Sequence, residues 1–197
     1  MDAVRYWLAL LALLMVPQAI LYWFIVHPFI STWRRLGKGP TYALLTLMYV
    51  GCGYLLWRAR GPLLATEYGT NPWLWGPAAL LYIGANAIQM MIRKQLRFSV
   101  LAGSPELEAG GKGGELLETG VYARVRHPRY IAVVLGVAAW ALFTNYLAIY
   151  ALVPALIMGL AGVAWFEERE LLERFGEPYA DYRARVPMLF PRLGARG

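Results

Sequence analysis

Five apolar stretches, at about 7–26, 41–57, 73–92, 130–144 and 146–166, constrain the fold of this chain more than any other feature. A helix needs roughly 20 residues to cross the hydrocarbon of a bilayer, within a range of about 17 to 25. Four of the five runs meet that length. The fifth, 130–144, is short, and Asn145 alone punctuates the chain before the next run begins. Unpaired backbone is not tolerated in lipid, which predicts a tight helical hairpin whose first limb is supported by its neighbours. The fold class expected is all-α: a polytopic membrane protein of about five transmembrane helices, the last two a tight hairpin, followed by a cytosolic C-terminal helical tail.

Composition supports this. Residues of hydrophobic type make up 59% of the 197, and charged ones 16%, outside the range of an ordinary water-soluble domain. Trp7, Trp23, Trp33, Trp57, Trp73, Trp75 and Trp165 flank apolar runs, where amphipathic rings favour the membrane interface. The first run holds Pro17 and Gln18, ends in Trp23 and Phe24, and lacks a cleavage-site pattern, so it reads as a retained helix rather than a signal peptide. A single cysteine, Cys52, precludes an intrachain disulfide. With only His27 and His127 besides it, no metal-ligand cluster is expected. The net charge of +7 does not call for nucleic acid, because basic residues beside apolar spans are what membrane topology demands.

Those basic residues orient the helices. Arg34, Arg35 and Lys38 follow the first run; Arg93, Lys94, Arg97, Lys112, Arg124, Arg126 and Arg129 lie between the third and fourth; Arg169, Arg174, Arg183, Arg185, Arg192 and Arg196 follow the fifth. They are 16 of the 19, leaving Arg5, Arg58 and Arg60 for the opposite face. The N-terminus is therefore expected outside and the C-terminus in the cytosol, in a plasma or inner membrane. One membrane domain results: three N-terminal spans over 1–92, a cytosolic connection over 93–129, the hairpin over 130–166 and a cytosolic tail over 167–197.

Most of the polar sequence thus gathers on the cytosolic side. Within the connection, 103–114 reads as a mobile glycine-rich linker: Lys112 is followed by Gly113 rather than Ser or Thr, and no apolar strand precedes it, so it is not a phosphate cradle. The following 115–130 interleaves apolar, aromatic and basic residues and sets Pro128 where a first helical turn suits it, which predicts order. The hairpin brings Arg126, His127 and Tyr130, entering its first helix, towards Glu167 and Glu168, leaving its second. Ionisable groups at the edge of a bilayer are functional candidates. A structural ion pair capping the hairpin explains the same residues.

The ordered set Gly120-x-Tyr122, Arg126-His127-Pro128-x-Tyr130, a two-helix hairpin, Glu167-Glu168-x-x-Leu171, Phe175-Gly176-x-x-Tyr179-x-x-Tyr182 and Val186-Pro187 with a later Pro191 carries a resemblance. Over about 116–191 the chain resembles the integral-membrane methyltransferases that include isoprenylcysteine carboxyl methyltransferase and the phospholipid N-methyltransferases. The N-terminal half matches only in having apolar helices. The resemblance implies an enzyme dependent on S-adenosylmethionine, with a cofactor pocket formed by the 120s segment and the segment after the fifth run. It implies Gly120, Tyr122, Arg126, His127, Pro128, Tyr130, Glu167, Glu168, Tyr179 and Tyr182 as cofactor-binding residues, with Arg126 and Glu167 catalytic. The cofactor carries a sulfonium, an ammonium and a carboxylate; Arg126 or His127 suits the carboxylate, and Glu167 and Glu168 the ammonium or ribose hydroxyls. The acceptor implied is lipophilic or amphiphilic, of the isoprenylcysteine-like carboxylate or phospholipid amine class, entering from the bilayer. No obligate protein partner and no nucleic acid are expected.

Two other readings fit these features. Sterol-reductase-like membrane proteins resemble the same C-terminal pattern while using a nicotinamide cofactor, and a non-enzymatic scaffold or carrier needs neither cofactor. Individual residues also have plainer roles. Tyr179, Tyr182, Val186 and Pro187 suit the packing of an amphipathic tail helix, 168–185, onto the membrane surface. His127 suits a hydrogen-bond donor or structural group better than a general base. His27 and Pro28 read as a helix end, and Ser31, Asn86 and Gln89 either line a substrate cleft or pack between helices.

Overall fold

Proline, asparagine and glycine set the helix boundaries on which the architecture rests. The computed structural model describes residues 1–26, 29–95 and 116–189; the glycine-rich linker, His27, Pro28 and Pro191 lie outside them, as does the side chain of Ser31. The described helices are α1 (Asp2–Val26), α2 (Ile30–Leu36), α3 (Lys38–Arg58), α4 (Arg60–Leu63), α5 (Trp75–Gln95), α6 (Pro128–Thr144), α7 (Leu147–Phe175) and α8 (Glu177–Arg185). Among the described residues there is no strand, only an isolated bridge between Glu67 and Tyr146.

Pro128 opens α6 in the first turn, where its missing N–H would have had no helical partner. Asn145 closes it in the left-handed region (φ 57°), its N–H donating to the Ala141 carbonyl. Tyr146 then starts α7, so the hairpin turns on two residues. It is pinned from below: Tyr68 N donates to Asn145 O at 3.0 Å, Leu147 N to Thr66 O at 3.1 Å and Asn145 Nδ2 to Gly69 O at 2.9 Å. Arg5, fully buried, adds to the clamp. It donates to Thr144 O at 3.0 Å and pairs with Asp2 at 3.0 Å and Glu67 at 2.7 Å.

Packing follows from small residues. A Cβ at Gly159 would fall 2.8 Å from Ile20, and one at Gly162 2.7 Å from Phe24, so these glycines let α1 lie close along α7. Ala9, Leu10, Ala12 and Leu13 of α1 bury against Tyr146 and Ile149. Helix α5 lies along α6, and α3 packs on α1.

Among the described residues two helices, α1 and α7, are long and apolar enough to cross a membrane, and α6 is a shorter apolar helix. Helices α3 and α5 have 21 residues each, but Lys38, Arg58, Gly51 and Gly53 dilute the first, and Asn86, Gln89, Arg93 and Lys94 the second. One boundary differs from the sequence expectation. Helix α7 does not give way to a tail helix near 168 but continues unbroken to Phe175, where Gly176 (φ 62°) ends it and Pro178 stands in the first turn of α8. Its last turns, rich in Glu, Leu and Arg, are strong helix formers. Glu167 and Glu168 therefore stand within a rigid helix rather than at its exit.

Candidate active site

The residues just before α6 are held by backbone pairing. Arg126 N donates to Pro187 O at 2.9 Å and His127 N to Met188 O at 3.1 Å, so the segment after α8 straps the approach to α6. His127 occupies the N-cap position of α6, and its ring stacks on Tyr130 with centroids 5.1 Å apart and planes 9° from parallel.

Two carboxylates of α7 meet this segment. Glu168, 5% exposed, receives Arg126 Nε at 2.8 Å and Nη2 at 2.7 Å on Oε1, His127 Nε2 at 3.1 Å on the same oxygen, and Arg183 Nε at 3.4 Å on Oε2. Glu167, with a side chain 31% exposed, accepts from the Tyr130 hydroxyl at 2.6 Å and lies 3.5 Å from His127 Nδ1. Arg126 Nη1 donates to the carbonyls of Arg183 (2.7 Å) and Val186 (2.6 Å). Most of its guanidinium is thus spent on protein groups, fixing Glu168 and the strap.

Burial would lower the pKa of His127, but hydrogen bonds to Glu167 and Glu168 and their charges outweigh it and hold the group at about 9. At neutral pH the ring is an imidazolium that donates from both nitrogens and has no lone pair to act as a base. Burial first, then the Glu167 charge, pushes Tyr122 up to about 12, and burial raises Tyr179 and Tyr182 further. These phenols stay neutral donors.

Tyr182 uses its donor on the Tyr122 carbonyl at 2.8 Å, tying α8 to the turn Gly120–Ala123. Tyr179 does not. It is 1% exposed, packs with Tyr182 and Val186 against Leu116, Leu171 and Phe175, and its hydroxyl has no hydrogen-bond partner among the described residues. A buried phenol left unpaired costs free energy unless something else satisfies it. Gly120 has a positive φ of 61°, and a Cβ there would overlap Gln95 Nε2 at 1.8 Å. Gln95 donates to Thr119 O at 3.2 Å, anchoring the 120s segment to α5.

Every sequence-predicted site residue falls in this region. Arg126, His127, Tyr130, Glu167 and Glu168 share one network; Tyr179 and Tyr182 sit beneath it; Gly120 and Tyr122 flank it, and Pro128 shapes the entry of α6. Sequence reasoning missed Arg183, which completes the cage around Glu168, and Gln95. It also missed the strap, whose contacts are backbone carbonyls and leave no side-chain pattern.

Comparison with known proteins bears on this arrangement. The family model for phospholipid methyltransferase matches residues 77–178. Methanethiol S-methyltransferase 2 of Bradyrhizobium diazoefficiens is 42% identical over 76 residues, covering 39% of this chain and 29% of that protein. Nickel-cobalt-cadmium resistance protein NccN of Alcaligenes xylosoxydans xylosoxydans is 29% identical over 133 residues, covering 66% and 60%. Cobalt-zinc-cadmium resistance protein CzcN of Cupriavidus metallidurans is 35% identical over 86 residues, covering 43% and 39%. The chain thus spans less than two thirds of the length of each of these relatives. No solved structure matches it.

Proposed function

Because the chain belongs to the phospholipid methyltransferase family, we propose that it is a membrane-embedded methyltransferase that uses S-adenosylmethionine to methylate a lipophilic or amphiphilic acceptor. The observation that carries the reading is the orphaned Tyr179 hydroxyl beneath a network of both charge signs. A ligand with an ammonium, a carboxylate and ribose hydroxyls finds complements there. When bound, the cofactor supplies a methyl group already activated on a sulfonium.

The chain's own residues then have distinct tasks. Glu167, the more exposed carboxylate, accepts hydrogen bonds from the ligand's ammonium or hydroxyls. Cationic His127 donates, and its charge suits a carboxylate. Tyr179 supplies the buried donor that lacks a partner. Arg126 acts as a positioning residue, holding Glu168 and the strap. Gly120, Tyr122, Pro128, Tyr130 and Tyr182 shape the walls. Alignment of the acceptor and exclusion of water are what remains for the protein to contribute.

We place five spans in the bilayer, α1, α3, α5, α6 and α7, with the N-terminus outside and the site and C-terminus in the cytosol of a plasma or inner membrane. The chain acts as one domain, in which the helices of residues 1–92 face the acceptor together with one side of α6, and the segments flanking the hairpin form the cofactor part. No obligate protein partner or nucleic acid is involved. Calorimetric titration of the detergent-solubilised protein with S-adenosylhomocysteine tests the reading: binding is expected, and to be weakened roughly tenfold or more in Glu167→Gln and Tyr179→Phe. Heat with NADPH alone would overturn it in favour of a reductase. Unchanged binding in both variants would remove the site assignment.

A further inference from the structure

The acceptor is the part of that reading left most open, and a cleft in the flank of the bundle bears on it. The cleft, of about 270 Å³, lies between α1, α5 and α6, and its lining includes Met15, Tyr82, Asn86, Gln89, Gly136 and Trp140. Met15 is 48% exposed and Tyr82 53%, so it opens sideways, on the face that the proposed orientation turns to lipid. Among the described residues, no carboxylate, ammonium, guanidinium or imidazole lines it.

The cleft is aimed at the site. Helices α5 and α6 run antiparallel, since the Trp75 ring lies 6.2 Å from that of Phe143 while Gln95 bonds to Thr119 before α6 begins. Asn86 and Gln89 therefore lie towards the site end and Trp140 towards the other. On α6, Val133, Val137 and Trp140 recur at helical spacing on the face of Tyr130, and with Ala132 the lined stretch runs about 12 Å along the helix. Its near end, at Ala132, lies two residues, roughly 3 Å along the helix axis, from Tyr130, whose hydroxyl holds Glu167.

We infer that this cleft binds the acceptor, and that the acceptor is a small, uncharged amphiphile: one short apolar chain ending in a neutral nucleophilic head such as a thiol or hydroxyl. The inference rests on the methyltransferase reading for the word acceptor, though not for the binding. A volume of 270 Å³ equals about nine water-sized volumes of roughly 30 Å³, room for one short chain and not for two acyl tails. A carboxylate or phosphate drawn into this lining meets no countercharge, and an uncompensated buried charge costs far more than a tenfold factor in binding. The neutral amides of Asn86 and Gln89 suit a neutral head, although Asn86 Nδ2 already donates to Tyr82 O at 2.8 Å.

Gly136 gives the test, because a Cβ placed there meets nothing within 4 Å and points into open space. In a Cys52→Ser background, Gly136→Cys is labelled with an apolar maleimide in detergent, beside Leu80→Cys on the exposed face as the reference for partition into micelles. Octanol is expected to slow labelling at 136 relative to 80 roughly tenfold or more, while octanoate and lysophosphatidylcholine leave the ratio within about twofold. Equal protection by octanoate or lysophosphatidylcholine, or none by octanol, overturns the proposal. Labelling needs no cofactor, so this result and S-adenosylhomocysteine binding fail independently. The filling variant Gly136→Leu closes the case: octanol protection of a neighbouring Val133→Cys is lost while S-adenosylhomocysteine affinity is kept. Retained protection counts against the cleft.

Discussion

Glu167 and Glu168 are adjacent in sequence, but a helix turns successive side chains about 100° apart, and α7 uses that to separate two tasks. Glu168 points inward onto Arg126, with both side chains at or below 10% exposure, whereas Glu167 keeps 31%. Removing one partner of a buried pair strands the other, at about 3 to 5 kcal/mol. Glu168→Ala is therefore expected to lower the melting temperature far more than Glu167→Ala, and Glu167→Ala to weaken cofactor binding more than its loss of stability explains; thermal unfolding beside calorimetry separates them. His127 gives a pH signature. Its folded pKa of about 9 lies above the ordinary 6.5, so the folded chain holds the proton more tightly than the unfolded one. The stabilisation, on the order of 3 kcal/mol, is complete below pH 6.5 and disappears as pH rises through 9. His127→Gln should flatten the decline of the melting temperature across that window. A decline as steep as in the parent would show that the proton sits elsewhere.

Close approach of α1 to α7 depends on two glycines at a three-residue spacing, Gly159 and Gly162, each with an α1 side chain inside normal contact distance of an added Cβ. Gly162→Leu should separate the helices and cost about 1 to 3 kcal/mol by overpacking. Gly51→Ala on α3, where a Cβ meets nothing, should be neutral or stabilising by up to about 1 kcal/mol. Melting temperatures of the two variants in detergent check the contrast; equal effects would mean that α1 is not seated as described. Neither role could be read from the sequence, where both glycines merely interrupt apolar runs. Legibility followed locality. Pro128 and Asn145 mark helix ends by their own backbone chemistry, and both mark them in the structure. The continuation of α7 to Phe175 was hidden because its polar residues read as an exit from the membrane, although they favour helix. Arg183 caging Glu168 and the carbonyls of 186–188 receiving the 120s segment depend on tertiary contacts that no spacing encodes.

The molecule as a whole carries a polar cluster at each end of α6. At one end stands the network around Glu168; at the other, Arg5 with Asp2, Glu67, Thr70 and the Thr144 carbonyl, its ring partner Tyr146 at 5.7 Å. The second cluster shares no contact with the first, so Arg5→Ala should destabilise by about 1 to 3 kcal/mol, chiefly through the Thr144 carbonyl left unpaired, while Glu67, 35% exposed, is rehydrated; S-adenosylhomocysteine affinity should be unchanged. The same division bears on orientation. Of the 19 basic residues, the proposed orientation leaves Arg5, Arg58 and Arg60 alone on the far face. The opposite end carries exposed Arg183 and Arg185 beside the site. The orientation proposed above, with the N-terminus outside and the site in the cytosol, follows the retention of positive charge on the cytoplasmic side. A reporter that fluoresces only in the cytosol should be bright when fused after residue 197, and a phosphatase active only outside should work when fused before residue 1. A bright N-terminal fusion with a dark C-terminal one would invert the molecule, and would turn the candidate site away from a cytosolic supply of cofactor.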